Sequence, residues 1–201
     1  MENSHKKNPL LIELPNVIVT ERCLLRPYRE GDSVHVYPAI DESRNEVRPW
    51  IFWADTTDTV EKSEEFVRRS MSQWASRENL NIGAWTKDGS RYLGGSGFHR
   101  INWDVPSLEI GYWIRTSETG NGYVTEWVRA LTHHAFHHFE CNRLLIRCDV
   151  GNTKSRAIPE RLGFQLESIQ RNEIRNHHNN LCDVAWYTLF PDTYRALDWA
   201  T

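Results

Sequence analysis

The chain has 201 residues, with 24 basic against 27 acidic side chains and a hydrophobic share of 39%. That length holds one medium domain with a sizeable core, and the composition is that of a soluble globular protein rather than a disordered one. The net charge of −3 offers nothing to nucleic acid or an anionic membrane, and no apolar run approaches the roughly 20 residues of a membrane span.

The polar, basic first ten residues lack the apolar centre of a signal peptide, so the cytoplasm is the expected compartment. Residues 1–16 read as an extension ahead of a single domain spanning 17–201. Residues 17–26 alternate loosely and predict an opening strand. Glu30-Gly31-Asp32 then turns into a helical stretch ending near Arg48-Pro49. Asp58 with Glu61 three residues on has the form of a capping box. Val60, Val67, Met71, Trp74 and Ala75 extend it to a helix over 59–77. Strands over 81–86, 92–102 and 108–114, joined by short turns, form an antiparallel meander.

The period then changes. Tyr123, Trp127, Val128, Leu131, Ala135, Phe136 and Phe139 make one apolar stripe of a long helix. A short strand over 143–148, a short helix over 154–162 stopped by Gly163, and strands over 164–173 and 181–189 follow, with a last short helix near Tyr194. This order describes a mixed α/β domain.

Ser117-Glu118-Thr119-Gly120-Asn121-Gly122-Tyr123 lies between the last meander strand and the long helix. Two glycines one residue apart let backbone N–H groups converge where a helix start attracts phosphate. Thr125 adds a hydroxyl in the first turn. The segment lacks the third glycine of a dinucleotide fingerprint and the Gly-Lys-Ser/Thr of a triphosphate loop, so it reads either as a cradle for another diphosphate or as an ordinary strand-to-helix turn. Cys23, Cys141, Cys148 and Cys182 have no paired spacing and read as small hydrophobes. His133, His134, His137 and His138 stand at i, i+4 spacing without an interleaved acid, which reads as a polar helix face rather than a metal site. Asp41, Glu42, Glu46, Asp55, Asp58, Glu61, Glu64 and Glu65 face only three bases over residues 41–65, which suits either a cationic acceptor or solvated helix faces.

Residues 152–164, running Asn152-Thr153-Lys154-Ser155 through Leu162-Gly163-Phe164, complete a pattern with that glycine loop. The chain resembles the GNAT acetyltransferases, and within them the RimJ/RimL type, in the run Leu108-Glu109-Ile110-Gly111-Tyr112-Trp113-Ile114, in Asn-x-x-Ser, in Leu24-Leu25-Arg26-Pro27 and in Pro49-Trp50-Ile51-Phe52-Trp53. The resemblance covers about residues 17–190. It implies a mainly antiparallel sheet splayed between strands 108–115 and 143–148, with acetyl-coenzyme A in the splay and no metal.

The pyrophosphate would rest on Ser117, Glu118, Thr119, Gly120, Asn121, Gly122, Tyr123 and Thr125. The pantetheine arm would run along Ile110, Tyr112, Trp113 and Ile114 and meet Asn152, Ser155 and Arg156. Two positions depart from the family. Ser117 stands where Gln or Arg is usual, and Pro159 stands where many members carry a tyrosine acid; a proline there frees a carbonyl, expected to be that of Ser155.

The reaction is attack of a neutral amine on a thioester, which needs a base, an oxyanion donor and an acid for the thiolate. Glu109, with a pKa raised among apolar neighbours, is the expected base, with His99 on the adjacent strand as alternative. Ser155 is the candidate acid, and a backbone N–H near Gly111 or Tyr112, at a bulge in that strand, the oxyanion donor. Trp50, Phe52 and Trp53, then Trp74 and Trp85, are candidates to line an acceptor pocket. The acceptor is expected to be a protein N-terminal amine, with a small amine as alternative, a non-catalytic acyl-coenzyme A module as a third reading, and a homodimer as the expected assembly.

Overall fold

In the computed structural model, which describes residues 8–51 and 53–200, the opening stretch is two strands rather than one. β1 (Ile18–Val19) turns back into β2 (Cys23–Pro27), and Thr20 Oγ1 accepts from the Cys23 N–H at 2.9 Å across the turn. A threonine hydroxyl that satisfies the backbone locally stops a strand, which loose alternation alone did not show. Ahead of it, Ile12 and Leu14 already pack against the core.

α1 (Ser33–Val47), the one-turn α2 (Trp53–Thr56) and α3 (Val60–Ser76) follow. Thr59, not Asp58, caps α3, its hydroxyl accepting from the Lys62 N–H at 3.2 Å. Asp58 pairs instead with the Lys62 ammonium at 2.8 Å.

β3 (Leu80–Thr86), β4 (Tyr92–Asn102) and β5 (Ser107–Ile114) form the expected meander. After α4 (Tyr123–His137) come β6 (Arg143–Asp149), α5 (Thr153–Arg161), β7 (Gln165–Arg175), β8 (Leu181–Leu189) and α6 (Pro191–Arg195). The eight strands form one sheet in the order β1-β2-β3-β4-β5-β6-β8-β7.

β5 and β6 are the parallel pair, and they touch only at Ser107↔Arg143, Leu108↔Leu144 and Glu109↔Leu145. Beyond Glu109 they part. β6 continues against β8 as far as Asp149↔Val184, while β5 keeps only β4. The β4–β5 register runs unbroken from Gly94↔Ile114 to His99↔Glu109, so the bulge expected near Gly111 is absent; the irregularity lies between His99 and Asn102, where Arg100 has φ +47°.

Strand alternation divides the apolar residues between two layers. Leu108 and Ile110 join Trp127, Leu131 and Leu144 in the core on the α4 side, with Tyr112 and Ile114 packed against it. Trp113 faces the other way, onto a second cluster of Tyr28, Val36, Ile40, Val67 and Tyr92 under α1 and α3. The opening between β5 and β6 therefore has a wall on each side of the sheet.

Candidate active site

The glycine loop begins as a 3-10 turn over Thr116–Glu118 and enters α4 through Gly120 (φ +81°) and Gly122 (φ +80°). Such φ values strain any residue with a Cβ. No side chain caps the helix, so its first amide groups face outward. α1 holds the loop from beneath: Glu42 accepts from the Ser117 N–H at 2.9 Å, Ser43 Oγ accepts from the Thr116 N–H at 2.8 Å, and Glu42 also pairs with Arg115. The Arg115 guanidinium holds the Glu42 carboxyl well below the usual range, at about 2.

Three arginines border the loop, two of them already paired with carboxylates, Arg91 with Glu118 and Arg22 with Glu126 at 2.7 Å. Arg91 donates to Ser117 Oγ at 3.1 Å and pairs with Glu118 at 2.7 Å. Arg22 donates to the Asn121 carbonyl at 2.9 Å and lies 4.7 Å above the Tyr123 ring. Arg161, from the end of α5, donates to Thr125 Oγ1 at 2.9 Å. Single-residue motif matching missed these arginines because they converge from the β1–β2 turn, the β3–β4 turn and α5.

On the other side of the opening, Asn152 caps α5, its Oδ1 accepting from the Ser155 N–H at 3.0 Å. Arg156 is engaged by the Tyr187 hydroxyl at 2.9 Å and the Val150 carbonyl at 3.3 Å, so it braces β8 and the β6–α5 turn. The carbonyl freed by Pro159 is met from across the opening, where the Tyr112 hydroxyl donates to the Ser155 carbonyl at 2.8 Å. Ser155 Oγ in turn donates to the Tyr112 oxygen at 3.3 Å.

The face of β5 carrying Glu109, Gly111 and Trp113 looks away from α4. Here the structure corrects the picture of Glu109 as a lone carboxylate among apolar groups. Arg147 of β6 donates to it at 2.6 Å and Arg100 approaches to 3.4 Å, with the Glu109 and Arg147 side chains only 12% and 11% exposed. Arg147 also donates to Glu173 at 2.6 Å and lies 4.9 Å over the Trp186 ring, whose Nε1 donates to Glu173 at 2.7 Å. An arginine inside the otherwise apolar run Leu144-Leu145-Ile146-Arg147-Cys148 was the sequence signal for this network.

His99, paired with Glu109 across β4 and β5, has no hydrogen-bond partner among the described residues. Its ring fills the space above Gly111, where an added Cβ would lie 2.9 Å from the imidazole Cδ2. Burial pushes the imidazole below its ordinary value, against the opposing pull of Glu109. Neutral imidazole is the form that accepts a proton.

Of the aromatic candidates, Trp53 meets Trp113 edge-on at 5.5 Å, and Trp50, 41% exposed, lies against Gly151 at the end of β6. Trp53 lies with Trp113 on the face of the sheet away from α4. Trp85 is core, only 2% exposed and enclosed by Arg26, His35 and Tyr92, and Trp74 packs into the core cluster on the α4 side. Neither lines an acceptor pocket. Phe52 lies outside the described residues. The acidic stretch is mostly neutralised internally: Asp41, Glu42, Asp55, Asp58 and Glu64 pair with Arg44, Arg115, Arg48, Lys62 and Arg68. The four histidines pair along α4, His133 tilted against His137 on the exposed side and the buried His134 stacked on His138. Among the described residues no group of three or more His, Cys, Asp or Glu side chains is arranged to hold a metal ion.

The glycine loop at the start of α4, beside a parted pair of parallel strands, is the arrangement that the resemblance to the GNAT acetyltransferases implies. Residues 22–165 match the acetyltransferase (GNAT) domain, and the chain belongs to that family of N-acetyltransferases. It is 31% identical over 178 residues to the provisionally named ribosomal N-acetyltransferase YdaF of Bacillus subtilis (strain 168), covering 85% of this chain and 92% of YdaF. Its fold is similar to RimL, a ribosomal L7/L12 alpha-N-protein acetyltransferase solved with coenzyme A, at TM-score 0.82 and 20% identity over 88% of this chain and 99% of RimL. It is similar also to the microcin C7 self-immunity acetyltransferase MccE, solved with acetyl-CoA and AMP, at TM-score 0.83 and 22% identity over 90% and 99% of the two chains.

Proposed function

We propose that this acetyltransferase uses acetyl-coenzyme A to acetylate a protein N-terminal α-amine of the ribosomal-protein kind, in the cytoplasm. No helix among the described residues is long and apolar enough to cross a membrane. The observation that carries the reading is the parting of β5 from β6 beyond Glu109↔Leu145, beside the outward-facing amide groups at the start of α4. The residues present fit the cosubstrate: amide groups and Arg91, Arg22 and Arg161 suit a diphosphate, and the β5 edge over residues 110–114 has no strand partner on the β6 side to compete with an amide-bearing arm. When bound there, acetyl-coenzyme A supplies the activated acetyl group.

The chain's own residues then divide the work. His99 takes the proton of the acceptor ammonium, directly or through a water, because the Glu109 oxygens are already engaged by Arg147 and Arg100. An α-amine, with an ordinary pKa near 7.7–8.0, asks little of that base. Glu109 and Glu173 hold Arg147, and with it the acceptor wall. As the C–S bond breaks, the hydroxyl of Ser155 turns from the Tyr112 oxygen and gives its proton to the departing thiolate. Asn152 keeps its amide NH2 for the pantetheine arm once its oxygen has capped α5.

A second reading, a small amine as acceptor, is favoured by the exposed Trp50 and by the Trp53–Trp113 pair, aromatic surfaces that could stack a flat group. Calorimetric titration with acetyl-coenzyme A, followed by thiol release with a panel of N-terminal peptides and a panel of small amines, separates these. Turnover confined to small amines sinks the protein-acceptor reading. Binding without turnover on either panel leaves only the acyl-coenzyme A module.

A further inference from the structure

Pro159 sits inside α5 and has no N–H, so the Ser155 carbonyl four residues earlier loses the donor a helix would give it. A part-buried carbonyl left unpaired is costly, and α5 is only nine residues long. The donor comes from another element. Tyr112 lies on β5, three residues past the last contact between β5 and β6, and its hydroxyl reaches the Ser155 carbonyl at 2.8 Å. The same phenolic oxygen accepts from Ser155 Oγ at 3.3 Å, so one hydroxyl engages both the main chain and the side chain of Ser155. Asn152 fixes the Ser155 N–H from the other direction at 3.0 Å. Two of these bonds hold the Ser155 main chain, and the third, from its hydroxyl to the Tyr112 oxygen, directs the side chain.

We propose that Tyr112 is a positioning residue for acetyl transfer: its hydroxyl replaces the backbone donor that Pro159 removes, ties α5 to β5 across the opening, and sets the Ser155 hydroxyl where the thiolate departs. Burial pushes the Tyr112 phenol up from its ordinary value, which keeps it protonated and able to donate throughout the working pH range. The inference rests on the acetyl-transfer reading for its kinetic half only.

The test is a double-mutant cycle. Pro159→Ala restores an N–H that can reach the Ser155 carbonyl, so Tyr112→Phe should cost less in that background. Thermal unfolding of the wild type, both single variants and the double variant needs no activity. The Tyr112→Phe loss in melting temperature, several degrees on the order of a lost buried hydrogen bond, should shrink to less than about half in the Pro159→Ala protein. In turnover, Tyr112→Phe should lower kcat about 10-fold with KM for acetyl-coenzyme A within about twofold, and the double variant should come within about threefold of Pro159→Ala. Equal melting losses in both backgrounds overturn the link between Tyr112 and Pro159. Coupled melting losses with unchanged kcat overturn the positioning role. A wild type that releases no coenzyme A with any amine overturns the acetyl-transfer reading and with it the kinetic half, while the melting cycle still decides the structural half.

Discussion

Gly111 has no room for a side chain because the His99 ring occupies the space above it, and that contact fixes which group on the acceptor face is available to a proton. A neutral imidazole with free nitrogens competes for it better than a carboxylate already engaged by two guanidinium groups. His99→Gln should therefore lower kcat/KM by about 100-fold or more, the ordinary contribution of a general base. Glu109→Gln should cost less and act on acceptor KM. Because burial lowers the His99 value from 6.5, the acid limb of the wild-type profile should fall below pH 6.5 and vanish in His99→Gln. Equal losses in both variants, with the acid limb retained in His99→Gln, would return the base to Glu109.

A second histidine matters for stability. His134 is buried, its Nε2 has no partner, and burial drives it down to about 4. The unfolded chain takes a proton near pH 6.5 that the folded chain declines until about pH 4. His134 thus leaves stability intact above pH 6.5 and withdraws it as the pH falls through that window. Thermal melts across the range should show His134→Phe losing less than the wild type, and parallel curves would exclude the effect.

At the scale of elements, the phosphate cradle is assembled rather than encoded in one segment. Arg161→Ala should weaken coenzyme A binding several-fold in calorimetry and flatten its salt dependence, since one cation near the phosphates is gone. An unchanged salt slope would place Arg161 away from the phosphates. Long periodic elements were legible from sequence because burial fixes their period: α4 and β5 fell within a residue or two of expectation. The split of β1 from β2 and the cap at Thr59 were less so, because each turns on a threonine hydroxyl choosing a local backbone partner. The glycine loop and Ser155 were readable as motifs. Arg147 showed as a charge in an apolar strand, but its meeting with Glu173 and Trp186 did not, since β6, β7 and β8 come together only through sheet order.

Across the whole molecule, the two walls of the opening belong to different helices but share one beam. α1 lends Glu42 and Ser43 to the loop that starts α4, and the chain leaving its far end carries Trp50 to Gly151. Filling the loop should steady α1 and the segment that carries Trp50, which would favour the nucleotide binding ahead of the acceptor. The consequence is a preferred sequence of arrivals. Initial rates should show coenzyme A competing with acetyl-coenzyme A but not with the amine, and Glu42→Gln should loosen that pattern toward random addition. A wild type that already takes its partners in either order would mean that the beam carries load without carrying a message.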